Sequence, residues 1–213
     1  MNKKIALIGG GGFAYEVLEV AVMLNYDVVG YFAENKSSFA HDYIGTPDTI
    51  HLNQNNFDAV FLAFGATDAK SQANRWRLIE YLSQHSIKVE TLVSPWARIS
   101  TGVKIGEGSF VAHNVCLSTY AELGKYNLLN TSAVIGHHTV IGNNNIVSPC
   151  VFVGGGVSIG NNNILGASSN ILQGIKLADN CLVGMGSNVF RSLKDNTVVW
   201  PSLNKSTRKV SGE

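Results

Sequence analysis

The sequence of 213 residues lacks a strong charge of either sign. Its 16 lysines and arginines almost balance its 15 acidic residues, which gives a formal net charge of +1. No block of like charges occurs along the chain. Because nucleic-acid-binding proteins present a basic patch or stripe, this balance disfavours a nucleic-acid partner. The composition, 45% hydrophobic and 15% charged, is that of an ordinary folded protein.

Long apolar runs and cysteine clusters are also missing. No segment approaches the roughly 18 apolar residues that a membrane span requires. Residues 1–8 carry two lysines and an apolar tetrad, a run too short for a secretory signal peptide. The three cysteines, Cys116, Cys150 and Cys181, are odd in number and lack metal-site spacing, which indicates reduced thiols. We therefore expect a cytoplasmic, soluble protein with no membrane partner.

What the sequence does contain is a repeat of six residues between Val93 and Val189. Every sixth residue is aliphatic, seventeen times in succession. The seventeen residues are Val93, Ile99, Ile105, Val111, Leu117, Leu123, Leu129, Ile135, Ile141, Val147, Val153, Ile159, Leu165, Ile171, Leu177, Val183 and Val189. This period is typical of a parallel β-helix, in which short strands meet at tight corners. Three hexads complete one triangular coil, so Asn143–Asn145 should stack below Asn161–Asn163.

Residues 1 to about 90 are predicted to form a small Rossmann-like α/β domain. Ile5–Ile8 forms a buried strand, four glycines follow it, and the apolar spacing then predicts a helix that ends near Asn25. The remaining predicted elements are strands at Val28–Phe32, Ala59–Phe64 and Lys88–Leu92 and a helix at Ala69–His85. The predicted architecture is thus an α/β domain, residues 1–90, followed without a flexible linker by an all-β parallel β-helix, residues 91–213.

The strand, glycine turn and helix at the N-terminus form a phosphate-binding arrangement. Glycines let the backbone approach an anion, and the helix N-terminus offers free amides and a favourable dipole. Glu34 follows the turn by about 20 residues, where an acid can hold a ribose. About 90 residues are too few for a full nicotinamide-binding domain, which disfavours a dehydrogenase. Glycines that merely allow tight strand-to-helix packing are the alternative.

Taken together, the two parts resemble the hexapeptide-repeat acyltransferases over nearly the whole chain. The matching residues are IGGGGFA at Ile8–Ala14, LNTSAVIGHHTVIG at Leu129–Gly142 and the hexads around them. The resemblance is strongest to the sugar acetyltransferases of bacillosamine, perosamine and sialic acid synthesis. It implies a left-handed β-helix, a nucleotide-linked sugar held by the glycine turn, and acetyl-CoA bound between neighbouring subunits of a homotrimer.

The resemblance also assigns individual residues. The catalytic general base falls on His137, and the next position, commonly acidic in the family, is His138. His138 is the second catalytic candidate, as a partner of His137 or a contact to the substrate. An imidazole titrates near neutrality and can take the proton of an attacking amine or hydroxyl. The residues implied for the nucleotide sugar are Gly9, Gly10, Gly11, Gly12, Phe13, Glu34 and Gly65. The residues implied for acetyl-CoA are Gly142, Ile146, Gly166, Gly184 and Lys205.

The chain departs from the family pattern at three places. Phe32-Ala33-Glu34 replaces a frequent Leu-Asp-Asp, which leaves open the residues that contact the base. Ile146 stands where some members have a histidine, and the ending is altered around Lys205. A pair of merely solvated corner residues is the plain alternative for His137 and His138.

From these features we expect an acyltransferase that uses acetyl-CoA to N-acetylate a nucleotide-linked amino sugar, of the 4-amino-4,6-dideoxy type, for a bacterial surface glycan such as the O-antigen of lipopolysaccharide. No metal is expected, because adjacent histidines do not match the ligand spacing of the γ-class carbonic anhydrases that share this fold. O-acetylation of a sugar hydroxyl, of the sialic acid type, is one alternative. A non-catalytic sugar-nucleotide-binding or scaffold protein is the other. The nucleotide, the sugar and the acyl chain stay open.

Overall fold

The computed structural model describes residues 2–201, and the N-terminal part is an α/β segment. Its elements are strand β1 (Lys4–Ile8), helix α1 (Gly12–Met23), strands β2 (Asp27–Phe32) and β3 (Tyr43–Gly45), 3-10 helices at Pro47–Leu52 and Gln54–Asn56, strand β4 (Ala59–Leu62) and helix α2 (Ala69–Gln84). The four strands form a parallel sheet in the order β3-β2-β1-β4. Because the strands are parallel, their carboxyl ends meet at one edge, which is where such sheets bind ligands.

The two helices begin differently. Helix α1 begins directly after the glycine turn, with Gly11 as its N-cap and without a side-chain cap. Helix α2 begins at a capping box, in which the backbone N–H of Ser71 donates to the Asp68 carboxylate at 2.7 Å. This hydrogen bond to the charged form lowers the pKa of Asp68. The N-terminal amides of α1 are therefore the ones left open.

The rest of the described chain is a three-sided parallel β-helix of two-residue strands. Sheet 1 contains Leu92–Val93, Phe110–Val111, Leu128–Leu129, Ile146–Val147, Ile164–Leu165, Leu182–Val183 and Val198–Val199. Sheet 2 contains Arg98–Ile99, Cys116–Leu117, Val134–Ile135, Phe152–Val153, Asn170–Ile171 and Asn188–Val189. Sheet 3 contains Lys104–Ile105, Glu122–Leu123, Val140–Ile141, Ser158–Ile159 and Lys176–Leu177. We name the corners after the sheets they join: the 1–2, 2–3 and 3–1 corners.

The predicted architecture of an α/β segment followed by a parallel β-helix is confirmed. The repeat residue is the second residue of each strand. From the second coil onwards this residue is buried inside the β-helix; Ile135, Val147 and Leu165, for example, are fully buried. The first coil is the exception, because no coil lies beneath it, and Ile99 is 40% exposed. The two asparagine triplets do stack, and the Nδ2 of Asn163 donates to the Oδ1 of Asn145 at 2.9 Å.

The α/β segment packs on the outer face of sheet 1. The first residue of each sheet 1 strand faces outward, and in this sheet it is apolar: Phe110 is 1%, Leu128 2% and Ile146 5% exposed. The Phe13 ring meets the Phe110 ring edge-on at 5.4 Å, so the glycine turn lies beside this face. The two parts share one continuous hydrophobic core. Burial of this kind gains roughly 25 cal/mol per Å² of apolar surface.

Two details of the α/β segment differ from the sequence prediction. Lys88–Leu92 is not a full strand, because only Val89 forms a bridge, to Val60, before the chain enters sheet 1. The edge strand β3 was missed, since three residues are too few to show a period. Within residues 2–201, none of the helices combines the length and apolarity that a membrane crossing needs.

Candidate functional site

The histidine pair lies at the 2–3 corner, directly after the strand Val134–Ile135. The inward neighbours Ile135 and Thr139 are fully buried, and the Thr139 hydroxyl donates to the Gly154 carbonyl at 2.9 Å. These anchors pin the backbone on both sides of the corner. His138 has a φ of +56°. Both imidazoles are consequently directed to solvent, and both residues are exposed.

The two imidazole rings are held by each other and by the neighbouring coils. The Nδ1 atoms of His137 and His138 are 3.2 Å apart, within hydrogen-bonding distance. The Tyr120 ring, one coil below, packs on His138 with 5.2 Å between ring centroids. One coil above, Gly155 leaves room for the other ring, because a Cβ at that position would lie 2.6 Å from the His137 Nε2. His137 therefore stands in a notch that a glycine creates.

A second feature is a cleft of about 450 Å³ at the carboxyl edge of the α/β sheet. It brings together Gly9 and Glu34, two of the residues predicted for the nucleotide sugar. The other residues that line it are Ile8, Phe32, Ala33, Pro47, Asp48, Phe64, Asn74, Arg77, Leu78 and Tyr81. The cleft is mainly apolar with a few charged groups, which is the usual character of a small-molecule site.

The four glycines of the turn have different surroundings. Gly9 has a φ of +114°, and a Cβ there would lie 2.8 Å from the Ala63 carbonyl oxygen. A Cβ at Gly10 would lie 2.6 Å from the Ser37 hydroxyl. Close packing explains these two glycines. At Gly11 and Gly12, by contrast, no atom lies within 4 Å of the place a Cβ would take. These two border open space at the N-terminus of α1, where an anion can approach the backbone.

Five of the seven residues predicted for the nucleotide sugar do not line the cleft: Gly10, Gly11, Gly12, Phe13 and Gly65. Phe13 packs on Phe110, and Gly65 lies against Leu128 and Ile146 of sheet 1. Both residues thus belong to the contact between the α/β segment and the β-helix.

Sequence reasoning missed the α2 side of the cleft. Asn74, Arg77 and Tyr81 follow one another at spacings of three and four, which places them on one face of the helix. Arg77 is exposed, and its guanidinium donates to the Asn74 side chain at 3.1 Å. This arginine is the cation of the cleft lining. The helical spacing of these polar residues was the available signal.

Arg77 also borders a second cleft, of about 520 Å³, between α2 and the 3–1 corner. Its floor is formed by outward residues of sheet 1, including Ile164 and Leu182, and its walls include Trp76 and Asn180. The two clefts flank α2 on either side. Arg77 is therefore placed to meet a phosphate in either of them.

The residues predicted for acetyl-CoA are spread over two corners. Gly166 and Gly184 occupy the same position of successive coils at the 1–2 corner, whereas Gly142 lies at the 3–1 corner. At each of these three glycines, a Cβ would lie 2.6 Å from an atom of the chain segment stacked above it. Ile146 is 5% exposed beneath the α/β segment and offers no open surface to a coenzyme in the isolated chain. Lys205 lies outside the described residues.

The cleft and the histidine pair lie on opposite sides of one chain. The α/β segment covers sheet 1, and the 2–3 corner is the corner across the triangular coil from that sheet. The guanidinium of the buried Arg75 fixes this arrangement, since it donates to the Tyr126 carbonyl at 3.0 Å and to the Asn144 side chain. The cleft of one chain therefore lies on the side of the β-helix away from its own His137.

Among residues 2–201, no group of three or more histidine, cysteine or acidic side chains could hold a metal ion. His113, a histidine that the site prediction leaves aside, is half-buried at the 1–2 corner. Its Nδ1 lies 2.6 Å from the Ser94 hydroxyl and its Nε2 3.5 Å from the Glu19 carboxylate on α1. These contacts join α1 to the β-helix.

Comparison with known proteins matches both parts of the chain. Residues 4–82 match the family model of the PglD N-terminal domain. The chain superposes with a TM-score of 0.85, at 24% identity and 92% coverage of both chains, on perosamine N-acetyltransferase from Caulobacter crescentus, crystallised with CoA and GDP-perosamine. It superposes on the acetyltransferase domain of PglB from Neisseria gonorrhoeae with a TM-score of 0.83, at 23% identity, covering 92% of this chain and 96% of that one.

A third solved structure, WeeI from Acinetobacter baumannii, gives a TM-score of 0.80 at 19% identity and covers 91% of this chain and 94% of that one. No curated protein sequence matches the chain. The resemblance stated from the sequence is therefore confirmed for the fold and for the N-terminal domain.

Proposed function

We propose that the protein is an acetyl-CoA-dependent N-acetyltransferase that acts on a nucleotide-linked amino sugar, of the 4-amino-4,6-dideoxy type, for a bacterial surface glycan. The observation that carries the proposal is the exposed His137, held in a notch of a β-helix whose fold is shared with an enzyme that binds CoA and GDP-perosamine. In this proposal residues 1–90 bind the nucleotide sugar and residues 91–213 carry out the transfer.

The chemistry needs one base and no covalent enzyme intermediate. The sugar amine attacks the thioester carbonyl carbon while the His137 Nε2 takes the amine proton. The oxyanion that forms can be stabilised by backbone amides, and it collapses as the carbon–sulfur bond breaks. The proton then passes from His137 to the departing thiolate. The products are an amide and free CoA, so atoms and charge balance.

The cleft supports a nucleotide with a diphosphate. The open space at Gly11 and Gly12 and the positive end of α1 favour a phosphate, and Glu34 and Gly9 line the neighbouring cleft, where Glu34 can meet a ribose hydroxyl. Arg77 adds a full positive charge and a fork of N–H donors, which suits a phosphate. The half-buried Phe64 in the cleft lining provides an apolar surface for a base.

The separation of cleft and histidine pair supports an active site shared between subunits, in a homotrimer. The strip around the 2–3 corner is apolar, which favours contact with a second copy: Val134 is 37%, Phe152 47% and Val140 49% exposed. A neighbour that docks on this strip brings its own cleft towards His137. Acetyl-CoA would then lie along the coils between the subunits, with Gly142, Gly166, Gly184 and Lys205 as proposed contacts.

The test is thiol release from acetyl-CoA in the presence of UDP-, dTDP- and GDP-linked amino sugars. We expect one donor–acceptor pair to turn over and His137→Ala to lower kcat by roughly 10²–10⁴-fold, the usual contribution of a general base. The control is Lys4→Ala, an exposed residue at the amino end of β1, the end of the strand opposite to the cleft. Undiminished release by His137→Ala would refute the assignment of the base.

Two further readouts separate the alternatives. A product acetyl group removed by mild base would identify an ester and therefore a hydroxyl acceptor. Acetyl-CoA should also raise the melting temperature, because a ligand of the folded state stabilises it. If neither turnover nor stabilisation appeared, a non-catalytic role would follow.

A further inference from the structure

The contact between the two Nδ1 atoms of the histidine pair constrains where the protons lie. At a separation of 3.2 Å the atoms are close enough for a hydrogen bond, and such a bond needs one N–H donor and one lone pair. Two neutral arrangements satisfy this. Either the His137 Nδ1 donates to His138, or the His138 Nδ1 donates to His137.

Only one of these arrangements lets His137 act as a base. When the His137 Nδ1 carries the proton, its Nε2 keeps a lone pair and can accept a proton from the substrate. In the reverse arrangement the Nε2 of His137 is already protonated. The tautomer of the base is therefore decided by its neighbour.

We infer that His138, as the neutral Nε2–H tautomer, is a positioning residue that accepts a hydrogen bond from the His137 Nδ1 and so holds His137 in the tautomer of a general base. The inference rests on the proposed function. His138 occupies the position that is commonly acidic in the family that the chain resembles. When His137 takes the substrate proton, the resulting imidazolium makes a stronger, charge-assisted hydrogen bond to His138.

The surroundings hold His138 in the orientation that this role needs. Its backbone N–H donates to the Thr119 carbonyl at 3.0 Å, and its ring rests on Tyr120. On the other side, the notch at Gly155 limits the movement of the His137 ring. The contact thus depends on three successive coils.

No acidic side chain of residues 2–201 makes a hydrogen bond or an ion pair with either imidazole. The outward residues that flank the pair on the same coil are Val134 and Val140. Glu122 lies one strand below Val140, and its carboxylate is paired with Lys104 at 2.8 Å. Within this part of the chain, His138 is the group that can orient His137.

The repeat itself suggests substitutions that keep the backbone intact. The equivalent position of the 2–3 corner is glycine on three other coils, with φ of +73° at Gly102, +67° at Gly156 and +71° at Gly174. Asparagine adopts the same conformation at the 3–1 corner, for example at Asn144 with φ of +54°. His138→Gly therefore removes the acceptor without straining the chain. His138→Asn and His138→Asp keep an acceptor oxygen.

The kinetic test compares these variants on the acceptor sugar found for the wild type. We expect His138→Gly to lower kcat by about tenfold or more with little change in KM; a wrong tautomer costs the histidine of a serine protease about 10⁴-fold. His138→Asp should restore most of the rate, and His138→Asn part of it. If His138→Gly kept the wild-type kcat while His137→Ala was inactive, the inference would fail and the proposed function would stand.

A second readout does not depend on activity. In the protein labelled with ¹⁵N at its six histidines, long-range proton–nitrogen spectra distinguish Nδ1–H from Nε2–H imidazoles. Signals are assigned by their loss in His137→Ala and His138→Gly. We expect Nδ1–H at His137 and Nε2–H at His138 in the neutral wild-type pair, and a shift of His137 towards Nε2–H in His138→Gly. An Nε2–H form of His137 in the wild type would overturn the inference, whatever the activity.

Discussion

The asparagine ladder inside the 3–1 corner allows a stability prediction with an internal control. Asn127, Asn145 and Asn163 occupy the same inward position of three successive coils, and all three are fully buried. Asn145 is the central member. Its Nδ2 donates to the Asn127 Oδ1 at 3.0 Å, and its Oδ1 accepts from both the backbone N–H and the Nδ2 of Asn163, each at 2.9 Å.

Replacing Asn145 with alanine should be strongly destabilising. The substitution leaves two buried donors of Asn163 without their acceptor. Each buried unsatisfied group costs about 1–3 kcal/mol, so the expected loss is about 2–6 kcal/mol in the free energy of unfolding. The carbonyl of Gly160, which accepts from the Asn145 Nδ2 at 3.0 Å, loses a partner as well.

The matched control is Asn170→Ala on sheet 2. The Nδ2 of Asn170 donates to the Asn188 Oδ1 at 2.9 Å, also across one coil, but both residues are exposed to solvent. Water replaces the lost bond there, and the expected change is within about 0.5 kcal/mol. Urea unfolding followed by circular dichroism, at one fixed protein concentration, measures both variants. If both variants lost the same free energy of unfolding, burial would not determine how much these hydrogen bonds contribute to stability.

Three further predictions concern single side chains. Arg75→Ala should loosen α2 from the β-helix and increase amide exchange in that helix, because the Arg75 guanidinium is fully buried between them. Burial lowers the pKa of Arg75 to about 10. Unchanged amide exchange would show that Arg75 does not anchor the helix. The exposed Cys150 should react with a thiol reagent in the folded protein, whereas Cys181, whose pKa is raised by burial, should react only after unfolding, as mass spectrometry can determine. Gly155→Ala should displace the His137 ring and lower kcat about tenfold without changing the fold by circular dichroism; a wild-type rate would argue against the notch.

The β-helix was the most predictable part of the fold. Coil stacking repeats one side-chain environment every six residues, so the aliphatic period marks the strands from Leu92–Val93 to Asn188–Val189. The period does not indicate whether another coil covers a given coil. Ile99 carries the same sequence signal as Ile135, yet it is 40% exposed because it belongs to the first coil.

The packing of the α/β segment was predictable in principle. Every eighteenth residue from Leu92, through Phe110 and Leu128, to Leu182 is apolar and is the outward residue of sheet 1. The corresponding outward positions of sheet 3 are mostly charged or polar, as at Lys104. An apolar outward row indicates a covered sheet. Reading the sequence in steps of eighteen would therefore have placed the segment on sheet 1, across the coil from the histidine pair.

The lining of the cleft was harder to predict, because polar residues set the rotation of α2. Periodicity assigns polar residues to the solvent side, yet Gln72 and Arg75 are buried against the 3–1 corner and contact Asn144. Successive helical residues are 100° apart, so burying Arg75 directs Arg77 about 200° away from that contact. This rotation brings Arg77 to the rim of the cleft. The cation proposed for the phosphate is thus positioned by a buried arginine two residues earlier, a relationship that becomes visible only when the partner of that arginine is known.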